Sequence, residues 1–453
     1  MYILGVGIMK KRESFSSSIA VFFATLSSAV GLGNIWKFPG VVGNNGGGSF
    51  LMLYLLCLII IGIPILLAEF ILGSKSKSNA LSVSENLGVG KFWKIIGYLG
   101  MICGLIIMFF YSSIAGVVYS YIFKPFTSDF SSMTTSGAEM LYNGSTTNPL
   151  SMILWQALVI GVVCLIMIAG IRKGIERFTK VLMPILLGML VILVIISVSL
   201  PNAMEGVKFL FSPDFSKITG ETVISAMGLA FFKLSLGVGT MLTYASYFKK
   251  DINLLKTARN LVIADLIVSL LAGLAIFPAA FSFGFTETGG PSLLFVTIPL
   301  VFSKLSLGSI FTMMFFILSA IAATTAMISM LAVPVSIITE KKNVNRKVVT
   351  IILGVIVLAF GVLASLSIND NSVLGGVKIF GMKIFDLYDF VSSNILMPVV
   401  GILVAILVGY YINQELVKDS LNGQNRLYTN ILRYISIPAI LIVFVSTLYL
   451  ALR

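Results

Sequence analysis

Ser27-Ser-Ala-Val-Gly-Leu-Gly-Asn34 sits in the middle of an apolar stretch, 17–39, yet holds two glycines and four polar or tiny residues at mid-depth, with Lys37-Phe-Pro39 close behind. A later stretch, 222–248, repeats the interruption in Met227-Gly-Leu-Ala-Phe-Phe-Lys233-Leu-Ser-Leu-Gly-Val-Gly239 and adds a lone cation. Non-helical backbone at membrane depth is tolerated only where it faces protein or a water-filled cavity. Two glycine-interrupted spans, five apart in chain order, are the pattern expected of inverted repeats whose broken helices meet at the midplane. A charge at that depth costs roughly 2.5–3.5 kcal/mol on insertion scales and marks a functional site by default. Lys233 could instead snorkel from a helix end. Against that, apolar residues run on for several turns before Lys249 and Lys250 close the segment.

Outward from these breaks, the 453-residue chain is 58% hydrophobic and 11% charged, far from the quarter-charged composition of a soluble domain. Stretches of about 20 apolar residues, the length that crosses hydrocarbon, fall at 17–39, 47–73, 95–123, 150–170, 178–200, 222–248, 258–284, 306–338, 348–367, 385–412 and 431–452. The expected fold is therefore an all-α polytopic membrane protein of eleven spans. Residues 1–11 form a tail and 12–453 one transmembrane domain, with repeat one over 17–200, repeat two over 222–412 and an extra helix at 431–452. The net charge of +13 follows topology rather than nucleic acid, since 22 of the 31 Lys and Arg residues fall on the side of the N-terminus. Positive residues gather on the cytoplasmic side, so the N-terminus is expected in the cytoplasm and the C-terminus outside, in a plasma or inner membrane.

Cys57, Cys103 and Cys164 stand singly in apolar spans and read as small hydrophobes. The absence of histidine removes the commonest general base and metal ligand, and no nucleophile with a base or pair of catalytic carboxylates points to an enzyme. The opening 1–8 is too short to span and has no signal-peptide context, so Met9 is a plausible true start. Asn44-Asn-Gly-Gly-Gly48 reads as an outer turn opening the second span. Gly174 and Pro184 weaken the backbone ladder of the fifth, which suits either a segment that unwinds to admit water or an ordinary proline kink.

Ala29-Val-Gly-Leu-Gly-Asn-Ile-Trp-Lys-Phe-Pro39, Asn45-Gly-Gly-Gly48, Lys173-Gly-Ile-Glu-Arg-Phe178, Leu234-Ser-Leu-Gly237 and Thr243-Tyr-Ala-Ser-Tyr247 closely resemble the neurotransmitter:sodium symporters, typified by the bacterial leucine transporter. The likeness runs from about Arg12 to the last span, and eleven spans resemble the shorter bacterial branch. It implies inward movement of an amino acid with sodium by alternating access. By this resemblance the substrate carboxylate meets the N–H groups of Leu32 and Gly33 and the Tyr111 hydroxyl, and its ammonium meets the carbonyls of Ala29 and Phe232 and the Ser235 hydroxyl. Half-helix N-termini do attract anions and unwound carbonyls cations. The side-chain pocket is implied at Ile107, Phe232, Val238, Ala326 and Met330, an apolar lining that favours a hydrophobic or aromatic amino acid and needs no cofactor. The outer gate is implied at Lys37, where the family usually has arginine, and Asp389. Lysine keeps the charge but loses the bidentate fork, so a weaker gate is expected. The inner gate is implied at Arg12 and Glu340, with Phe15, Ser246 and Tyr247 nearby.

The chain departs from the family at the ions. The first sodium site implied by the resemblance uses the Ala29 carbonyl, the Asn34 amide, a hydroxyl on span six and a carboxamide or carboxylate on span seven. The last two positions are Lys233 and Asp265. An ammonium has donors and no acceptor, so it cannot ligate sodium but can stand in its place. Lys233–Asp265 is therefore expected as a tethered replacement for that ion, with the ammonium also able to meet the substrate carboxylate. Asp265 would supply the fixed negative charge where other members hold chloride, so chloride independence is expected. The second sodium site is partly kept, with carbonyls at Ser27, Val30 and Ala322, the Thr325 hydroxyl, and Ala326 where a serine is usual. A one-residue shift using Thr324 and Thr325 stays open, and one sodium rather than two is expected. If sodium plays no part, Lys233 is the candidate proton carrier.

Readings of another class keep less of the chain. A Schiff-base lysine with Asp265 as counter-ion does not use the two broken spans. A sensor on the same fold would want a long soluble tail, and a channel would want rings of charge or carbonyls along a pore. The expected partners are a small amino acid and the lipid bilayer, with no nucleic acid; the sequence does not indicate an oligomeric state.

Overall fold

The computed structural model describes residues 14–126, 130, 132–284, 293–342 and 344–451. Among the described residues, nine helices are long and apolar enough to cross a membrane: Gly48–Ser76, Lys91–Phe126, Pro149–Ile168, Ile171–Val198, Leu254–Ser282, Gly308–Lys341, Arg346–Ser365, Ile384–Tyr411 and Asn425–Tyr449. Two further crossings are broken. The first span joins Ser18–Ala29 to Gly33–Asn44 with a bend of 54°. The sixth joins Gly220–Lys233 to Thr240–Ala245 through a non-helical stretch, 234–239. Counted in chain order these make the eleven spans expected, interrupted in the first and sixth.

Local chemistry explains where each break falls. Ser17 caps the first half-helix by accepting the Ala20 N–H at 3.2 Å. The helix ends at Ala29, and Val30 leaves helical backbone with ψ of 100°. Gly31 passes so close to Tyr111 that a Cβ there would stand 2.7 Å from its hydroxyl. In the sixth span Ser235, Gly237 and Gly239 take φ of 52°, 75° and 81°. Glycine enters that region at no steric cost, and at Gly237 the Met397 backbone leaves no room for a side chain. Ser235 takes it despite its Cβ.

The third and eighth spans are the most enclosed, with 72% and 89% of their apolar windows buried, whereas the fifth has 28%. Outer helices present apolar side chains such as Leu154, Leu165, Ile195 and Val355 outward. At the N-terminal side, aromatic rings gather beside cations: Trp93 meets Tyr411 edge-on at 4.9 Å and the Arg433 guanidinium lies 4.8 Å over Tyr410. Such clusters mark a membrane–water interface. Asn44 ends the first span and a tight turn through Gly46 and Gly47, both with positive φ, opens the second. The fifth span is continuously helical from Ile171, with a wide-turn segment Ile171–Glu176 and Pro184 inside the helix. The unwinding considered at Gly174 is therefore not the conformation found. Gly174 packs against the Ile166 backbone of the preceding span, which a side chain would block.

Candidate functional site

The two breaks face each other across a small cavity lined by Ser28, Ala29, Gly31, Gly33, Ile107, Tyr111, Phe232, Lys233, Ser235, Val238, Ala326, Met330 and Met397. Ten of the residues expected around a substrate are therefore together: Ala29, Gly33, Ile107, Tyr111, Phe232, Lys233, Ser235, Val238, Ala326 and Met330. Leu32 stands behind this wall, and its N–H donates to the Tyr111 hydroxyl at 2.8 Å. The Ser235 hydroxyl donates to the Ser28 carbonyl at 2.8 Å, tying the two breaks together. One side of the cavity is polar backbone and hydroxyl, the other aliphatic, aromatic and thioether.

Lys233 and Asp265 meet at 3.0 Å, both side chains with no exposure. The ammonium also donates to the Tyr54 hydroxyl at 2.8 Å and to the Ser269 hydroxyl, and lies 4.6 and 4.8 Å from the ring centres of Tyr54 and Phe38. Of the three donors of an ammonium, two are taken by these hydroxyls, and its charge is met by Asp265. The partners of the ammonium, Asp265, Tyr54 and Ser269, are not among the residues lining the cavity. Asp265 takes the Asn34 amide N–H at 2.6 Å on its other oxygen. The Asn34 amide also donates to Ser269 at 3.0 Å, and its carbonyl oxygen accepts the Gly31 N–H at 3.3 Å. Asn34 thus links the buried ion pair directly to the cavity wall.

On the other flank of the first break stand Ser27, Val30, Ala322 and Thr325, all buried. The half-helix ends at Ala29, so its last carbonyls lie beyond the helical ladder. Thr325 donates to the Ile321 and Ala322 carbonyls at 3.0 and 3.1 Å. Thr324 meets the Tyr119 hydroxyl at 2.7 Å and donates to the Ala320 carbonyl. Uncharged oxygens suit a hard monovalent cation. Among the described residues no group of three His, Cys, Asp or Glu is placed to hold a metal.

Sequence reasoning missed one carboxylate. Glu69, buried in the second span, accepts the Gly237 N–H at 2.7 Å and the Leu242 N–H at 3.2 Å, satisfying backbone freed by the sixth-span break. The signal was available, since Glu69 is a lone acid in the apolar run Ile63-Pro-Ile-Leu-Leu-Ala-Glu-Phe-Ile-Leu-Gly73.

Both ends of the cavity are covered. Lys37 bonds the two Asp389 carboxylate oxygens at 3.0 and 3.2 Å and lies 4.1 Å over the Phe232 ring, which roofs the cavity. Ser393 donates to Asp389 at 2.7 Å. At the N-terminal side Phe15 packs edge-on against Tyr244 and Tyr247 at 5.9 and 6.2 Å, and its N–H donates to the Tyr247 carbonyl. Ser16 donates to Glu176, which also pairs with Lys180 at 2.7 Å. Ser246 donates to the Thr243 carbonyl. Glu340 accepts the Asn79 backbone and amide N–H groups at 3.2 and 2.9 Å. Arg12, its expected partner, lies outside the described residues.

Two broken helices enclosing a midplane cavity, with a covered end on each side, define a multi-pass membrane transporter. The model of the sodium:neurotransmitter symporter family matches residues 12–141 and 133–452. The chain is 38% identical, over 96% of its length and 98% of the relative's, to an uncharacterised sodium-dependent transporter of Bacillus subtilis. It is 31% identical, over 91% of its length and 84% of the relative's, to another from Methanocaldococcus jannaschii. The crystal structure of MhsT in complex with L-phenylalanine superposes with a TM-score of 0.90 at 40% identity, covering 96% of this chain and all of that one. The chain belongs to the sodium:neurotransmitter symporter family, and its fold is the inverted five-helix repeat of that family.

Proposed function

We propose that the protein imports a hydrophobic or aromatic amino acid together with one sodium ion, and that Lys233–Asp265 replaces a second. The observation carrying this reading is the closed cluster around the ammonium: Asp265 pairs with its charge and the Tyr54 and Ser269 hydroxyls accept two of its N–H groups inside the protein, where a separately bound cation would otherwise stand. Sodium then belongs to the carbonyls of Ser27, Val30 and Ala322 and the Thr325 hydroxyl. The substrate carboxylate would draw the Leu32 N–H and Tyr111 hydroxyl, now bonded to each other, onto itself. Its ammonium would lie near the Ala29 and Phe232 carbonyls and Ser235. Ile107, Phe232, Val238, Ala326 and Met330 leave no charge for a charged side chain, and the L-phenylalanine bound to MhsT supports the same substrate class. Lys37–Asp389 and the Phe15 cluster serve as the two gates. The distribution of Lys and Arg supports a cytoplasmic N-terminus and an external C-terminus.

The test is binding of a panel of amino acids, followed by uptake in sodium and in choline media at more than one pH. Phenylalanine or leucine uptake that requires sodium with a non-cooperative dependence, and is unchanged when gluconate replaces chloride, is the expected result. Sodium-independent uptake that follows pH would move the coupling to a proton on Lys233. A strict chloride requirement would remove Asp265 from its assigned role.

A further inference from the structure

Between the ninth and tenth spans, Lys378–Ile379 pairs antiparallel with Met382–Lys383 to form a hairpin. The two residues of its turn, Phe380 and Gly381, take φ of 50° and 79°, the geometry of a type I′ turn that favours Asn-Gly or Asp-Gly. A bulky side chain in left-handed backbone is an outlier, and Phe380 is also 90% exposed. Ile379 and Val377 beside it are 42% and 43% exposed, and Val373 on the same loop 65%. Folding within the chain gives no reason for a phenylalanine here, since its ring packs on little of the protein.

The height of the hairpin is fixed by its neighbours. The ninth span, Arg346–Ser365, has 20 residues, which at about 1.5 Å each matches the hydrocarbon thickness of roughly 30 Å. Its outward face is apolar along its length, through Val348, Ile351, Val355 and Phe360. Just past its end the Ser367 hydroxyl accepts the Phe385 N–H at 3.0 Å, and Lys383 pairs with Asp370 at 2.8 Å. The hairpin is thereby pinned at the level where the ninth span leaves hydrocarbon, on the side opposite the N-terminus. The exposed apolar stripe continues from that helix into the loop, and Lys378 stands exposed beside Phe380.

We infer that the Lys378–Lys383 hairpin is a lipid anchor, with the Phe380 ring at the boundary of headgroups and acyl chains and Lys378 at lipid phosphate. An aromatic ring beside a basic residue is the composition of an interfacial contact. The exposure of Phe380 is then satisfied by the bilayer, and the conformational cost of its backbone is offset there. The hairpin runs straight into Ile384–Asp389, so the anchor also sets the height of the residue that pairs with Lys37.

The test uses the full-length chain in nanodiscs of phosphatidylcholine and phosphatidylglycerol holding one copy each. Cys164 is replaced by alanine, buried Cys57 and Cys103 are kept, and an environment-sensitive fluorophore is attached through Phe380→Cys or, separately, Ile379→Cys. Asn371→Cys on the same loop is the control. Blue-shifted emission at 380 and 379, quenched by nitroxide on the upper acyl chain and protected from aqueous iodide, with the opposite at 371, is expected. Iodide quenching at 380 and 379 equal to that at 371, without quenching by lipid nitroxide, overturns the anchor. Protection that arises only when two copies share a disc overturns it too, and assigns the face to a second copy of the chain.

Discussion

Two lysine–aspartate pairs in this chain have the same closest contact, 3.0 Å, in opposite surroundings. Lys37–Asp389 keeps 25% and 34% of its side chains exposed, whereas Lys233–Asp265 keeps none. An exposed pair is worth about 0–1 kcal/mol and is screened by salt. Breaking a buried pair leaves an uncompensated charge and costs roughly 3–5 kcal/mol. Separation alone therefore says little about either. The outer pair is cheap to open and re-form, which suits the proposed gate, while the inner pair is costly to separate.

The comparison breaks first, if it breaks, at Asp265. Asp265→Asn strands the Lys233 ammonium and is expected to lower stability by roughly 3–5 kcal/mol, read as a lower melting temperature in detergent and loss of uptake; unchanged melting would mean the pair is not what holds the cluster. Adding Lys233→Thr to that variant should restore folding and make sodium dependence cooperative, because a second ion can then enter. If the fixed cation leaves sodium only the other flank, Thr325→Ala should weaken apparent sodium affinity about tenfold, near 1.4 kcal/mol, with melting in sodium-free buffer unchanged. Asp389→Asn should cost no more than about 1 kcal/mol of stability while slowing uptake, and high salt should reproduce part of that slowing in the parent but not at the inner pair. Smallest of all, Lys37→Arg should tighten the outer gate by a few tenths of a kcal/mol, in the range of an exposed pair, seen as slower release of bound substrate.

The broken spans were legible because glycine and small polar residues are costly inside an apolar helix, and Lys233 and Asp265 because charges are rarer still. The acceptors that complete the cluster were not. Tyr54 and Ser269 come from the second and seventh spans, and single hydroxyls in membrane helices usually bond their own backbone, as Ser269 does to Asp265. Their role depends on where the lysine head points, a side-chain direction that no spacing reveals. Met397 joined the lining for a similar reason, since its wide-turn approach in the tenth span brings it against Gly237. The fifth span shows the converse, where a glycine and a proline readable as an unwinding signal sit in a helix that is wound.

The Lys233–Asp265 pair also carries an energetic consequence for accumulation. A cation that is part of the polypeptide returns with the protein on every cycle, so in the proposed scheme it draws nothing from the sodium gradient or the membrane potential. Each charge moved through 100 mV supplies about 2.3 kcal/mol, close to fiftyfold in concentration. A transporter with this pair gives up that factor in the steepest amino-acid gradient it can sustain. In return its site cannot lose that ion to the solution when outside sodium runs low.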